Sequence, residues 1–377
     1  MSAAPAAPRL HRGAFWTASQ RQASSLHEIS YRACFKPQLP RFFITRLSQP
    51  GDRVLDPFSG RGTTALEAAL LGRRVIANDA NPLSARLCAP RFDPPTLEAV
   101  ADRLATLVGA PAGALDGLDL SMFYHPDTEA ALRRLRDALG DDGVDAWIRM
   151  VATNRLSGHS PGFFSVYSLP PNQAVRPEQQ RRINARLGQT PPFRDTGALI
   201  LTKTRSLLRN LSVEQRTTLS HARRDARFLT GDARALRGVG SGSVALTVTS
   251  PPFLDVVDYA GDNWLRCWFN HLDAEAIGRD LSVPRSLAVW SEVMGDTLRE
   301  LKRVTRPGGH IAFEVGEVRR GELRLEEVVR PLGERLGLRT IGVWINTQRF
   351  TKTSAIWGVS NNRRGTNTNR VVVFQKP

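Results

Sequence analysis

The sequence predicts an α/β protein, with short apolar strands alternating with helix-like segments around a mostly parallel sheet. Three observations predict it. The stretch Arg53-Val54-Leu55-Asp56-Pro57-Phe58-Ser59-Gly60-Arg61-Gly62-Thr63-Thr64 runs from an apolar strand through a glycine-rich turn into a helix over Ala65–Leu71, with Gly72 as its stop. A second apolar run, Val75-Ile76-Ala77, leads into Asn78-Asp79-Ala80-Asn81-Pro82. Far downstream, Val244–Val248 reads as a buried strand that ends at Ser250-Pro251-Pro252-Phe253, because two prolines cannot continue a ladder.

The remaining elements follow in chain order. Residues 14–48 lead into the first strand, and Phe42-Phe43-Ile44 within them reads as a buried helix face. Leu97–Val108 and Asp127–Leu139 read as amphipathic helices, the second capped by Asp127 or Thr128. His159-Ser160-Pro161-Gly162 and Ser168-Leu169-Pro170-Pro171-Asn172 are loop signals. Strands resume at Ala226–Leu229, and Gly308-Gly309 precedes another at His310–Val315, with Ser291–Val304 as the helix before it. Ile341–Ile345 and Arg370–Gln375 read as the last two strands. No internal repeat or heptad pattern is present.

Composition narrows the partners. The 377 residues carry a formal charge of +16, from 52 basic against 36 acidic side chains, which favours a polyanion. The lysines are Lys36, Lys203, Lys302, Lys352 and Lys376, so arginine supplies nearly all the positive charge. Cys34, Cys88 and Cys267 have no metal spacing and fit reduced thiols of a cytoplasmic protein rather than a disulfide framework. No apolar run approaches the roughly 18 residues of a membrane helix. Residues 1–13, rich in Ala and Pro, read as a disordered tail.

The motifs carry the chemistry. Glycines let backbone N–H groups approach a ligand, and an acid after the second strand suits a ribose diol. The pattern Gly60-x-Gly62-x-x-Ala65 passes as a dinucleotide fingerprint, but Asp56 in the loop would repel a pyrophosphate and suits a cationic group instead. An NAD oxidoreductase would also leave Ser250–Phe253 and the charge unexplained. That turn offers a hydroxyl, fixed carbonyls and a ring at a strand's carboxyl end, where open α/β sheets bind ligands. Such a set suits a flat base bearing an exocyclic amine. An ordinary strand-ending turn remains the plain alternative.

Together the motifs resemble the amino-methyltransferases of DNA. Asp56–Thr64 matches that family's Asp-Pro-Phe-x-Gly-x-Gly-Thr-Thr loop, and Ser250–Phe253 its Ser/Asp/Asn-Pro-Pro-Tyr/Phe loop. Tyr31–Pro37 looks like the segment over the methionine end of the cofactor, and Gly231-Asp232-Ala233-Arg234 like the loop that meets its adenine. The resemblance covers about residues 30–90 and 225–377. It implies a Rossmann-like, mostly parallel, seven-stranded sheet that uses S-adenosylmethionine. It places Phe35, Lys36, Pro37, Asp56, Phe58, Gly60, Gly62, Thr63, Thr64, Asp79, Asn81 and Asp232 at the cofactor. It places Ser250, Pro251, Pro252 and Phe253 at a base flipped out of duplex DNA, with no metal.

The order is cofactor loop, long insert, base loop. This divides the chain into a catalytic domain (14–91 and 225–377) and an inserted, mainly helical recognition region (92–224). The insert either reads DNA or caps the sheet. Arg176, Arg181 and Arg182 within it, and Lys352, Arg363 and Arg364 between the last strands, are candidate DNA contacts; a solvated face and a surface loop are the alternatives. Asp258-Tyr259, just past the turn, reads either as lining the pocket or orienting Ser250 or, for Tyr259, as core, and His159 reads as either a DNA contact or structural.

In the implied mechanism the Pro251 carbonyl and the Ser250 hydroxyl each accept an amine N–H, Phe253 stacks on the base, and the methyl group moves directly in line. In that family serine in the first loop position goes mostly with cytosine N4, and Asp or Asn mostly with adenine N6. Ser250 therefore suggests N4-methylcytosine, as in restriction-modification enzymes. Adenine N6, an RNA base, and a catalytically inactive DNA-binding protein are the alternatives. A nucleoid-associated monomer or homodimer in a bacterial cytoplasm is the expected setting.

Overall fold

The computed structural model describes residues 9–16, 23–32, 34–108, 117–169, 175–252, 259–280, 286–318, 323–347 and 368–377. Its strands are β1 (Leu10–Gly13), β2 (Arg53–Asp56), β3 (Arg74–Asp79), β4 (Arg227–Thr230), β5 (Val244–Thr249), β6 (Thr305–Val315), β7 (Glu317–Val318), β8 (Leu323–Arg324), β9 (Arg339–Thr347) and β10 (Thr368–Gln375). Eight of them form one sheet in the order β1-β9-β10-β6-β5-β2-β3-β4, and β7 with β8 makes a separate ribbon. Adjacent strands are parallel except at β10, which runs antiparallel to both β6 and β9. From β2 the chain winds outward to β3 and β4 on one side. It then returns to the other side at β5, so the order reverses between β2 and β5. In open α/β sheets the crevice outside the carboxyl ends at such a reversal binds ligands.

Both faces of the sheet are covered, and successive side chains alternate between them. Val54, Val75, Leu246, Val248, Ala312 and Val371 point into one core with the helices Gln38–Leu47 and Thr63–Leu70. Leu55, Ile76, Ile311, Phe313, Val315 and Val372 point into the other, under the helices Leu287–Val304 and Leu325–Arg335. Phe43 and Ile44 are buried on the helix that begins at Gln38, as the sequence suggests.

The structure corrects several expectations. The sheet has eight strands rather than seven. The eighth is β1, so the tail reading fails for Leu10–Gly13. This four-residue strand has no apolar alternation and is held by parallel pairing to Val343–Asn346 and by His11 stacked on Trp344 at 4.3 Å. The helix expected from Asp127 begins at Pro126 with His125 as its cap, since proline is well suited to a first helical position.

The region 92–224 contributes helices at Leu97–Leu107, Pro126–Ala138, Gly143–Thr153, Pro177–Leu187 and Thr196–Leu208. Trp147, Ile148 and Ile200 share one core with the sheet face. Arg149 reaches the Phe269 carbonyl at 3.3 Å, and Asn270 reaches the Thr153 hydroxyl at 2.9 Å. The boundary drawn at 224 falls inside the helix Val213–Asp225, which packs on the helix Thr63–Leu70 and on β3 and so serves the sheet.

Asn346 on β9 ties the chain's start to the sheet. Its Oδ1 accepts from the Phe15 and Trp16 amides at 2.8 and 3.1 Å, and its Nδ2 donates to the Trp16 carbonyl at 3.0 Å. Asn346 is fully buried, and Trp16 is nearly so. Asn346→Ala would leave these groups without partners, so denaturant unfolding should show a loss of about 2–3 kcal/mol.

Candidate active site

The site is built on the carboxyl ends of β2, β3 and β5. After β2 the chain turns at Gly60 (φ 52°) and Gly62 (φ 76°) before entering the helix at Thr63. Gly62 has no room for a side chain: a Cβ there would lie 2.2 Å from the Cys88 sulfur. The Tyr31 ring and the Cys34 thiol cover Gly60, about 3.5 and 3.4 Å from where a Cβ would stand. The segment containing Phe35, Lys36 and Pro37 therefore borders the glycine loop. Arg61 fixes it there by donating to the His27, Ile29 and Phe35 carbonyls at 3.3, 2.7 and 3.5 Å. The buried Arg91 in turn bonds the Arg61 and Leu26 carbonyls.

Two carboxylates face the loop, Asp56 buried and Asp79 half-buried. Asp56 accepts from the Thr249 hydroxyl at 2.6 Å and the Phe58 amide at 3.2 Å. Burial pushes its carboxyl up to about 7 in spite of those bonds. Asp79 accepts from the Gly60 and Asn81 amides at 2.8 and 2.9 Å, and burial raises it to about 6. Thr64 donates to the Val248 carbonyl at 3.1 Å, while Thr63 accepts from Arg61 at 3.2 Å. The Asn81 carboxamide oxygen caps Leu83 at 3.0 Å. Its Nδ2, like the Ser59 hydroxyl, is buried without a protein partner, leaving two donors for a ligand. Asp232, in the loop after β4, has its carboxylate held by Arg234 at 2.6 Å, which keeps it below the usual carboxylate range.

The second loop sits beside the first. Ser250, Pro251 and Pro252 follow β5, whose Leu246 and Thr247 pair with Val54 and Leu55 of β2. Ser250 stands beside Glu314, a buried carboxylate on the adjacent β6 that burial holds above the usual range. Trp290, fully buried, donates its indole N–H to the Pro252 carbonyl at 3.0 Å and fixes the turn from the helix side. Phe253 and Asp258, with Lys352, Arg363 and Arg364, lie outside the described residues.

Sequence reasoning missed several of these groups. Thr249 bridges β5 to Asp56, Glu314 stands beside Ser250, and Trp290 holds the base loop. Asn78 on β3 clamps two loops, its Nδ2 donating to the Pro57 and Gly231 carbonyls at 3.2 and 2.9 Å. The available signals were a carboxylate inside the apolar strand Ile311–Val315 and an amide at the end of β3.

Of the expected DNA contacts, Arg176, Arg181 and Arg182 are exposed at the start of the helix Pro177–Leu187. Arg181 pairs with Asp119 at 2.8 Å. The segment preceding that helix is joined to the helix after the base loop by the Trp264 indole, which donates to the Val175 carbonyl at 3.1 Å. Among the described residues no cluster of His, Cys, Asp or Glu could hold a metal, and no helix is long and apolar enough to cross a membrane.

Residues 8–87 match the family model described as DNA methylase. That stretch contains the glycine loop and both acids and ends before the base loop. The match supports a DNA-methylating enzyme. No curated protein matches the chain. Among solved structures, a DNA modification methylase of Thermus thermophilus, complexed with S-adenosyl-L-methionine, is 24% identical over 39% of this chain and 54% of that one, with a TM-score of 0.23. The rRNA methyltransferase AviRa of Streptomyces viridochromogenes is 12% identical over 96% of both chains, with a TM-score of 0.39. A TehB-like SAM-dependent methyltransferase of Corynebacterium glutamicum is 10% identical over 90% and 87%, with a TM-score of 0.33. Likenesses of this order carry no weight beside the site's own geometry.

Gly62→Ala should lower the unfolding midpoint, because the new methyl group meets Cys88 and φ is unfavourable. An unchanged melting temperature would contradict the packing described.

Proposed function

We propose that the protein transfers a methyl group from S-adenosylmethionine to the N4 amine of a cytosine in duplex DNA. One observation carries the reading: the Ser250-Pro251-Pro252 turn and the glycine loop stand on paired strands, and Thr249 bonds directly to Asp56. A site with this spacing suits a methyl donor in one loop facing a base amine in the other.

The glycine loop and Asp79 would hold the cofactor's ribose and methionine. Ser59 and Asn81 supply unpartnered donors. Asp56, ionised when a sulfonium or ammonium group sits near it, would balance the cofactor's positive charge. Because the Glu314 carboxylate can only accept, the Ser250 hydroxyl would donate to it, and the Ser250 oxygen keeps lone pairs for an amine N–H. A Pro251 carbonyl would take the second N–H. Both contacts draw the nitrogen towards the pyramidal form found at the transition state. The charge of +16 and the exposed Arg176, Arg181 and Arg182 suit a DNA backbone. The helical insert, tied to the base-loop helix through Trp264, is the proposed recognition element.

The test is mass spectrometry of nucleosides from duplex DNA incubated with the protein and S-adenosylmethionine. N4-methyldeoxycytidine is the expected product. N6-methyldeoxyadenosine would overturn the base assignment, and no methylated nucleoside would overturn the reading. Ser250→Ala should bind cofactor normally and transfer methyl about a hundredfold more slowly. Unchanged transfer would remove Ser250 from the mechanism.

A further inference from the structure

We propose that Glu314 positions Ser250 and, through its hydroxyl, takes up the proton that the target amine gives off. This rests on the methyl-transfer reading above and adds a proton path to it.

Glu314 lies near the carboxyl end of β6, next to the end of β5. Thr249 pairs with Phe313, so Ser250 and Glu314 follow at the next position of each strand. Along β6, Phe313 and Val315 point into one core and Ala312 into the other. Glu314 lies on the Ala312 face, where alternation alone would place an apolar side chain. It is 3% exposed, and among the described residues no cation pairs with it. A buried carboxylate without a cation is costly to hold. What it has instead are one hydrogen bond from the Asn369 amide, whose Nδ2 donates to Oε1 at 2.7 Å, and the hydroxyl of its cross-strand neighbour Ser250, which favours the ionised form. Asn369 sits on β10, the strand on the other side of β6. The adjacent pair Arg370–Glu326 belongs to the opposite face of the sheet, with the helix Leu325–Arg335. The carboxylate is therefore flanked from both neighbouring strands, bonded to Asn369 on one side and next to the Ser250 hydroxyl of the proline turn on the other.

The chemistry of the transfer needs such a group. As the amine nitrogen bonds to the methyl carbon, the carbon–sulfur bond breaks and its electron pair stays on sulfur. The nitrogen then carries a positive charge and must lose a proton. Its N–H bond breaks with the pair left on nitrogen. The proton passes to the Ser250 oxygen as the Ser250 hydroxyl proton passes to Glu314. Serine ends unchanged, Glu314 ends neutral, and the methylated amine ends neutral. Burial raises the Glu314 carboxyl, which makes it a better proton acceptor than a solvated carboxylate. Glu314 must start ionised, so the rate should fall as pH drops through its raised pKa.

The test measures single-turnover methyl transfer against pH on duplex DNA at saturating cofactor. Saturation is needed because Asp56 and Asp79, on the neighbouring β2 and β3 loops, also titrate above the usual carboxylate range. Glu314→Gln keeps the shape and should slow transfer about a hundredfold, with the acid limb lost and cofactor binding unchanged. Asn369→Ala removes a bond that favours the ionised form. It should move the acid limb up by about half to one pH unit, and it serves as the test if Glu314→Gln fails to fold. A Glu314→Gln protein with the wild-type rate and acid limb overturns the proposal, as does an unmoved limb in Asn369→Ala. A wild type that methylates no DNA overturns both this assignment and the reading beneath it; an active wild type with insensitive variants overturns this assignment alone.

Discussion

The 2.6 Å hydrogen bond from Thr249 to Asp56 joins the two halves of the site. Asp56 ends the strand that starts the glycine loop, and Thr249 ends the strand that starts the Pro-Pro turn. The bond fixes the separation of the loops to the precision of one hydrogen bond. It also forces a carboxylate into an apolar junction, where its ionised form is disfavoured until a cation arrives. The helices on both faces exclude water from that junction, and Thr64 adds a third tie by reaching the Val248 carbonyl. Holding such a group costs stability, as sites prepared for charged ligands commonly do.

Around the junction each loop has its own support. Asn78 spans the loops after β2 and β4, Arg61 holds the covering segment, and Trp290 braces the second proline. Asn78 and Trp290 are buried and Arg61 is half-buried, so each loop is tied to the fold by hydrogen bonds largely shielded from solvent. The chain's start takes part too. Asn346 anchors Trp16, and Arg61 and Arg91 anchor the stretch from Leu26 to Phe35. The insert shares the sheet's core and meets the base-loop helix at Trp264.

Legibility in the sequence tracked how local each cause was. The glycine loop and the proline turn could be read because glycine and proline restrict the backbone by themselves. The parallel strands could be read from their apolar runs, with ends wrong by a residue or more: the strand expected at Ala226–Leu229 is Arg227–Thr230. β1 could not be read, since Leu-His-Arg-Gly has no pattern and depends on a partner far along the chain. The helix Pro177–Leu187 buries only Gln180 and Ile183, too little for a periodic signal. Thr249, Glu314 and Trp290 escaped for the same reason: what they do depends on strand neighbours. Asp232 was placed at the cofactor by resemblance, and Arg234, two residues on, holds its carboxylate.

Burial pushes the Asp56 carboxyl up to about 7, so a cation arriving beside it shifts the group towards its ionised form. Calorimetric titration with S-adenosylmethionine near pH 6.5, in buffers of different ionisation enthalpy, tests it most directly. Below its pKa of about 7 the carboxyl holds a proton, and a nearby positive charge expels it. The predicted result is binding with a net release of protons, a share of which is gone in Asp56→Asn. Binding whose proton count is the same in Asp56→Asn, or no binding at all, would contradict it.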